Sequence, residues 1–198
     1  MTETNAISKR RIVFVMNPIS GTQGKRTILR YIHQLMDRER CDYQLVRTKY
    51  AGHATEIAKQ AVDEGVDMVV AIGGDGTINE IAKALVHSNT ALGIIPCGSG
   101  NGLARHLRIP MEPKAAVELI NSGKRLCIDY GKINGLPFFC TCGVGFDAFV
   151  SLKFADSGKR GLLTYLENTL HESLTYKPET YEIENEEGDE LIDVIQKW

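Results

Sequence analysis

The sequence lacks the features that mark membrane, secreted and nucleic-acid-binding proteins. No apolar run approaches the roughly 20 residues that a membrane-spanning helix requires, and residues 1–11 are polar where a signal peptide would be apolar. The net charge is −2, from 23 basic and 25 acidic residues, so the overall charge attracts neither nucleic acid nor an anionic membrane. We therefore expect a soluble, cytoplasmic protein with no transmembrane segment and no nucleic-acid partner.

The sequence also lacks the cysteine spacing of a disulfide framework or a zinc site. Its five cysteines are odd in number, contain no CxxC pair and lie mostly in apolar, strand-like runs. Reduced thiols in a protein core are the interpretation that this pattern favours.

Strand-like and helix-like segments alternate over the first part of the chain. Residues 11–16, 67–72 and 91–96 are short apolar runs rich in β-branched residues, as in strands that are buried on both faces. Apolar residues at helical spacing separate them. The pattern predicts an α/β domain over residues 1–124, with an open, mainly parallel sheet and helices on both faces.

The pattern changes after residue 124. Residues 126–133 and 137–142 read as antiparallel strands joined by Asn134-Gly135, which favours a type I′ hairpin, and residues 159–174 read as a helix. Two or three antiparallel strands cannot bury both faces of a sheet. We therefore expect residues 125–198 to form an incomplete β-rich domain.

Three glycine-rich turns follow predicted strands and open predicted helices. They span residues 17–25, 73–77 and 96–102. Ligands of open parallel sheets bind beyond the carboxyl ends of the strands, and glycines with helix N-termini offer close backbone N–H donors to phosphate. The turns predict a polyphosphate site, although such turns also occur merely to let a helix pack closely on a sheet. The hydroxyls of Ser20, Thr77 and Ser99 would either cap these helices or donate to phosphate.

Asp75 places a carboxylate at the tip of the second turn. Phosphoryl transfer needs such a group to hold Mg²⁺ or to accept the proton of the attacking hydroxyl. A structural Asx-turn is the alternative. Asn79 and Glu80 lie one helical turn further on, where Glu80 would be a helix-dipole partner or would orient the groups of the site.

Four motifs together resemble the diacylglycerol kinase catalytic family, which includes bacterial lipid kinases and the sphingosine and ceramide kinases. They are NPISG at 17–21, GGDGTINE at 73–80, PCGSGNGLA at 96–104 and GVGFDAFV at 143–150. GGDGT is shared with NAD kinases and phosphofructokinases, so the specificity comes from the combination and its order.

The resemblance implies that ATP and Mg²⁺ bind between an α/β domain and an antiparallel β-sandwich domain for the lipid substrate, and residues 125–198 would be the start of that second domain. It assigns Asp75 as catalytic and as a metal ligand, places Asp147 near the acceptor hydroxyl or lipid headgroup, and places Lys159 and Arg160 near the phosphates. The residues predicted around the nucleotide are Asn17, Pro18, Ser20, Gly21, Thr48, Gly74, Asp75, Gly76, Thr77, Asn79, Glu80, Gly98, Ser99, Asn101 and Arg160.

These features predict an ATP-dependent lipid kinase that transfers the γ-phosphoryl group to a hydroxyl of diacylglycerol or a long-chain base. Such an enzyme would act peripherally at a membrane. Asn101-Gly102, where many bacterial members have Asn-Asp, is closer to the sphingosine kinase form and leaves the lipid open. The alternatives are an NAD kinase-type enzyme and a truncated nucleotide-binding pseudo-kinase without turnover. In the latter, an exposed sheet edge would pair with another chain, as in a homodimer.

Overall fold

The computed structural model describes residues 9–20, 24–146, 148–149, 151 and 180, and the backbone of residues 191–196. It contains eight described strands and five described helices. The strands are β1 (Arg10–Met16), β2 (Cys41–Arg47), β3 (Met68–Gly73), β4 (Ala91–Pro96), β5 (Lys124–Asp129), β6 (Gly131–Ile133), β7 (Leu136–Phe138) and β8 (Leu191–Gln196). The helices are α1 (Lys25–Leu35), α2 (His53–Asp63), α3 (Asp75–Leu85), α4 (Gly102–His106) and α5 (Pro113–Ser122).

The predicted parallel sheet is present, which confirms the fold class. The six-stranded sheet has the order β2-β1-β3-β4-β8-β5, and its first four strands are parallel in register. β8 runs parallel to β4, and β5 runs antiparallel to β8. Because β1, β3 and β4 are neighbours, the turns that follow them leave the same edge of the sheet side by side.

The core explains why these strands read as continuous apolar runs. All six residues of β3 and all six of β4 are buried, as are the last five residues of β1. With the right-handed crossovers that parallel strands almost always have, this strand order puts α1 on one face of the sheet and α2 and α3 on the other. α1 packs against α5, and α2 packs against α3. Both faces of the central strands are therefore covered, as parallel sheets require.

The predicted hairpin turn is present, but its strands are shorter than the predicted 126–133 and 137–142, because β5 is separate from β6 and β7 ends at Phe138. β6 and β7 pair antiparallel around Asn134 and Gly135. Both turn residues have positive φ, 50° and 76°, as a type I′ turn requires.

β5 lies in the large sheet beside β8, although the sequence analysis assigned its residues to the second domain. By backbone contacts the chain divides into one unit of residues 1–139 with 190–198 and another of residues 140–189. The sequence pattern predicts no strand at 191–196, and the predicted helix over 159–174 lies outside the described residues. The domain boundary after residue 124 stays a prediction.

Candidate nucleotide site

The three glycine-rich turns are held together at the carboxyl edge of the sheet by backbone hydrogen bonds. The N–H of Asn17, just after β1, donates to the carbonyl of Ile72 at 3.2 Å. The N–H of Cys97, just after β4, donates to the carbonyl of Gly73 at 2.8 Å. Each bond extends the pairing of adjacent strands into the turns, so the turns are positioned by the sheet itself.

Asn17 connects the first turn to the second through its side chain. Its Nδ2 donates to Oγ1 of Thr77 at 3.3 Å, and its Oδ1 accepts from the N–H of Ile19 at 3.0 Å. Thr77 is buried in the first turn of α3. The amide of Asn17 therefore shapes its own turn and ties that turn to the start of α3.

Asp75 connects the second turn to the third. Its Oδ2 accepts the N–H of Asn101 at 2.8 Å, and its Oδ1 accepts the N–H of Gly102 at 2.7 Å. These N–H groups lie at the start of α4. The first backbone N–H groups of a helix have no hydrogen-bond acceptor within the helix itself. Asp75 thus satisfies the N-terminus of α4 from another element, and the local Asx-turn suggested as an alternative is not the arrangement found.

Gly74 and Gly98 are required by the contact between these two turns. A Cβ added at Gly98 would lie 2.6 Å from the Cα of Gly74, and one added at Gly74 would lie 3.1 Å from the Cα of Gly98. At Gly73 an added Cβ would lie 2.5 Å from Oγ1 of Thr77. The packing explanation for glycine-rich turns therefore holds at these positions.

Gly76 differs, because none of the described residues requires it to be a glycine. A Cβ added there meets no atom of the described residues within 4 Å, and Gly76 is exposed. Its φ is not in the left-handed region. Open space thus lies directly over the backbone of the second turn, beside the exposed Asp75.

Asn101 closes the third turn on itself. Its Oδ1 accepts the N–H of Gly98 at 2.8 Å and its Nδ2 donates to the carbonyl of Gly98 at 2.7 Å. Asn101 is buried and has a left-handed backbone, with φ of 54°. Nε of Arg105 holds the outer side of the turn by donating to the carbonyl of Gly100 at 2.9 Å. Sequence reasoning missed Arg105, which follows the third motif and begins the last turn of the short α4.

The predicted capping role of the hydroxyls is wrong. The N-cap residues of α1, α3 and α4 are Gly24, Gly74 and Asn101, and none makes a side-chain capping bond. Oγ of the buried Ser20 donates instead to the carbonyl of Asn17 at 3.1 Å. Donation by these hydroxyls to a phosphate stays a prediction.

Thr48 and Glu80 lie on the side of the site nearest β2. Thr48 is buried directly after β2, and its N–H donates to the carbonyl of Met16 at 2.9 Å. Asn79 and Glu80 are half-buried on α3. The carbonyl of Glu80 accepts from Oγ1 of Thr55 at 2.9 Å, which joins α3 to α2.

Lys25 adds a cation that the sequence analysis did not assign to the site. Burial lowers the pKa of Lys25, and its electrostatic interaction with Cys97 opposes that shift. Lys25 is the first residue of α1, and Cys97 follows β4 at the start of the third turn. Burial raises the pKa of Cys97 to about 11, so its thiol is neutral at pH 7. The position of Lys25 at the end of the first glycine-rich turn was the available signal.

The family model for the diacylglycerol kinase catalytic domain matches residues 11–133, which include all three turns. The chain belongs to this family. It is 37% identical over 140 residues to the diacylglycerol kinase of Bacillus subtilis, a match that covers 69% of this chain and 46% of that protein. It is 30% identical over 132 residues to the diacylglycerol kinase of Staphylococcus carnosus, which covers 66% of this chain and 43% of that protein.

Solved structures place the fold in the diacylglycerol kinase family as well. A crystal structure of a diacylglycerol kinase from Bacillus anthracis superposes with a TM-score of 0.59 and 28% identity. The superposition covers 65% of this chain and 48% of the other. The chain thus spans about half the length of the diacylglycerol kinases that it matches.

Four residues predicted for the diacylglycerol kinase site lie outside the described residues: Gly21, Asp147, Lys159 and Arg160. Within the part of the chain that the structure describes, no group of three or more His, Cys, Asp and Glu side chains is arranged to hold a metal ion. The described helices include none with the length and apolar character needed to span a membrane.

Proposed function

We propose that the chain binds ATP across the three glycine-rich turns and transfers its γ-phosphoryl group to a hydroxyl of a lipid, diacylglycerol or a long-chain base. The observation that carries this proposal is the open space over Gly76 beside Asp75. Packing accounts for the glycines at 73, 74 and 98, whereas at Gly76 the missing side chain leaves room for a ligand. Family membership makes the γ-phosphate of a nucleotide the ligand to expect there.

The chemistry that the site would support is phosphoryl transfer by positioning and charge stabilisation. The acceptor hydroxyl oxygen bonds to the γ-phosphorus, the bond from that phosphorus to the β,γ-bridging oxygen breaks, and ADP leaves. The hydroxyl proton passes to a base, for which we propose Asp75. Backbone N–H groups of the turns, Lys25 and the predicted Lys159 and Arg160 would neutralise the phosphate oxygens.

Asp75 can serve as one ligand of Mg²⁺ while it holds the third turn. An ionised carboxylate has about four lone-pair sites, of which the N–H groups of Asn101 and Gly102 occupy two. Mg²⁺ commonly binds through one or two carboxylates together with substrate phosphates and water, so the absence of a three-residue cage among the described residues is compatible with it. The ion would offset charge on the β- and γ-phosphates.

Substitution Gly76→Ala tests the nucleotide site with little structural disturbance. The added methyl meets no atom of the described part of the chain within 4 Å, and alanine favours the helix in which it lies. We expect thermal stability to be equal or slightly higher and ATP affinity, measured by isothermal titration calorimetry with Mg²⁺, to fall about tenfold or more as the methyl intrudes on the phosphates. Unchanged ATP affinity would contradict the proposed position of the phosphates.

The acceptor is tested by measuring ATP consumption with short-chain diacylglycerol, sphingosine and NAD in parallel. Turnover with a lipid supports the proposed reaction, and turnover with NAD alone would replace it by the NAD kinase alternative. ATP binding without turnover with any of these acceptors would indicate a nucleotide-binding protein without kinase activity.

Because the proposed acceptor is a membrane lipid, we propose a cytoplasmic protein that contacts membranes peripherally. Co-sedimentation of the protein with lipid vesicles tests this proposal.

A further inference from the structure

The turn between β2 and α2 presents an aromatic ring that the proposed phosphoryl transfer does not use. Tyr50 is 56% exposed, and its ring stacks on the ring of His53 with a centroid distance of 4.7 Å and an interplanar angle of 21°. Its hydroxyl donates to Oε2 of Glu56 at 2.7 Å. Nδ1 of His53 accepts the N–H of Lys49 at 3.1 Å. The Tyr50 ring is therefore fixed by the hydrogen bond of its hydroxyl to Glu56 and by its stacking on His53. His53 covers one face of the ring, and more than half of Tyr50 remains exposed.

Tyr50 follows β2, which pairs with the strand that leads into the first glycine-rich turn. Met16 and Arg47 are the last paired residues of β1 and β2, and Thr48 continues the contact through its bond to Met16. Ile19 lies three residues past Met16 and Tyr50 three residues past Arg47. Both side chains are exposed, Ile19 to 75%. Two exposed apolar groups thus follow neighbouring strands at the edge of the sheet where the turns gather.

The arrangement matches the two ends of a nucleotide. Phosphates would bind at the turns after β3 and β4, and neighbouring strands lie about 4.8 Å apart. β2 is two strands from β3, a separation of roughly 10 Å that a nucleotide extended from its phosphates to its base can span.

The chemistry around Tyr50 favours a heterocyclic base over a lipid tail. The imidazole of His53 and the carboxylate of Glu56 contact Tyr50 directly, whereas an acyl chain needs a continuous apolar groove. A base offers a flat π-face for the ring and polar edges for its surroundings. Resting on the nucleotide site proposed above, we infer that Tyr50 stacks on the base of the bound nucleotide and that Ile19 adds apolar contact to it.

The experiment compares ATP with inorganic tripolyphosphate, which has the phosphates without the base. Both are titrated with Mg²⁺ by isothermal titration calorimetry into the full chain and the variants Tyr50→Ala, Tyr50→Leu and Tyr50→Phe. We expect Tyr50→Ala and Tyr50→Leu to weaken ATP binding on the order of tenfold, with tripolyphosphate affinity within about twofold. Tyr50→Phe keeps the ring and should remain close to the wild-type chain.

Leu136→Ala is the matched control, because it removes a side chain that is 62% exposed from the hairpin between β6 and β7. It should leave both affinities unchanged, and a thermal melt of every variant reports on folding. If Tyr50→Ala does not fold, Tyr50→Leu carries the comparison because it keeps a large apolar side chain.

The outcomes separate this inference from the kinase proposal. ATP affinity that does not depend on Tyr50, or an equal loss for ATP and tripolyphosphate, overturns the inference alone. If Tyr50→Ala weakens the binding of ATP but not of tripolyphosphate, and the wild-type chain shows no turnover, the inference is supported while the kinase proposal fails. No ATP binding by the wild-type chain overturns both.

Discussion

The carboxylate of Asp75 accepts a hydrogen bond of 2.7 Å from the backbone N–H of Gly102. A second bond, from Asn101, fills the other carboxylate oxygen at 2.8 Å. The side chain that the sequence predicts to be the reactive group therefore also links the second glycine-rich turn to the third. Changes at Asp75 act on the geometry of the site as well as on its chemistry.

Asp75→Asn should lower turnover by about 100-fold or more, because the amide can neither take the proton of the acceptor nor accept both N–H bonds at α4. The free energy of unfolding should fall by about 1 kcal/mol, as for a lost helix cap. Steady-state kinetics with short-chain diacylglycerol and urea unfolding measure the two effects. Asp63→Asn, an exposed carboxylate at the end of α2, is the control. Turnover equal to that of the wild-type chain would refute the catalytic role of Asp75.

Gly98→Ala should destabilise the protein, because the new methyl would lie 2.6 Å from the Cα of Gly74 and 2.9 Å from Oδ1 of Asn101. The Cα of Gly74 belongs to the backbone and cannot move away from the new methyl as the end of a flexible side chain could. We therefore expect the free energy of unfolding to fall by about 1–3 kcal/mol. Urea unfolding monitored by circular dichroism measures it. Gly76→Ala is the paired control, and an equal effect at both positions would contradict the close contact between the turns.

The thiol of Cys97 should make stability depend on pH above 9. Burial raises its pKa from the ordinary value of 9.0 to about 11, so the folded state holds the proton more tightly than the unfolded state. The stabilisation is complete below pH 9 and is lost as the pH rises from 9 through 11. Thermal melts of the wild-type chain and of Cys97→Ala across pH 7–11 measure this pH-dependent contribution of the thiol to stability. A difference between the two proteins that stays constant with pH would show that Cys97 does not titrate in this way.

The central strands and the turns between them could be predicted because their determinants are local. Apolar β-branched runs specify β1, β3 and β4, and abrupt glycine-rich segments mark where each ends. Asn134-Gly135 specifies a tight turn for the same reason, since only the conformations of two adjacent residues are involved. The family could be recognised because three of its four motifs lie in these turns and all four occur in a fixed order.

Only the tertiary structure decided how the turns meet. Asp75 bonds to residues 26 and 27 positions away in the chain, and the contact between Gly74 and Gly98 exists because the sheet places β3 beside β4. The pairing of β5 with β8 likewise joins segments far apart in sequence. The sequence by itself determined the central strands β1, β3 and β4 and the turns that follow them, through short-range sterics and hydrophobic pattern. Tertiary structure decided which glycines serve packing and which leaves room for a ligand, because that depends on atoms brought together from distant positions.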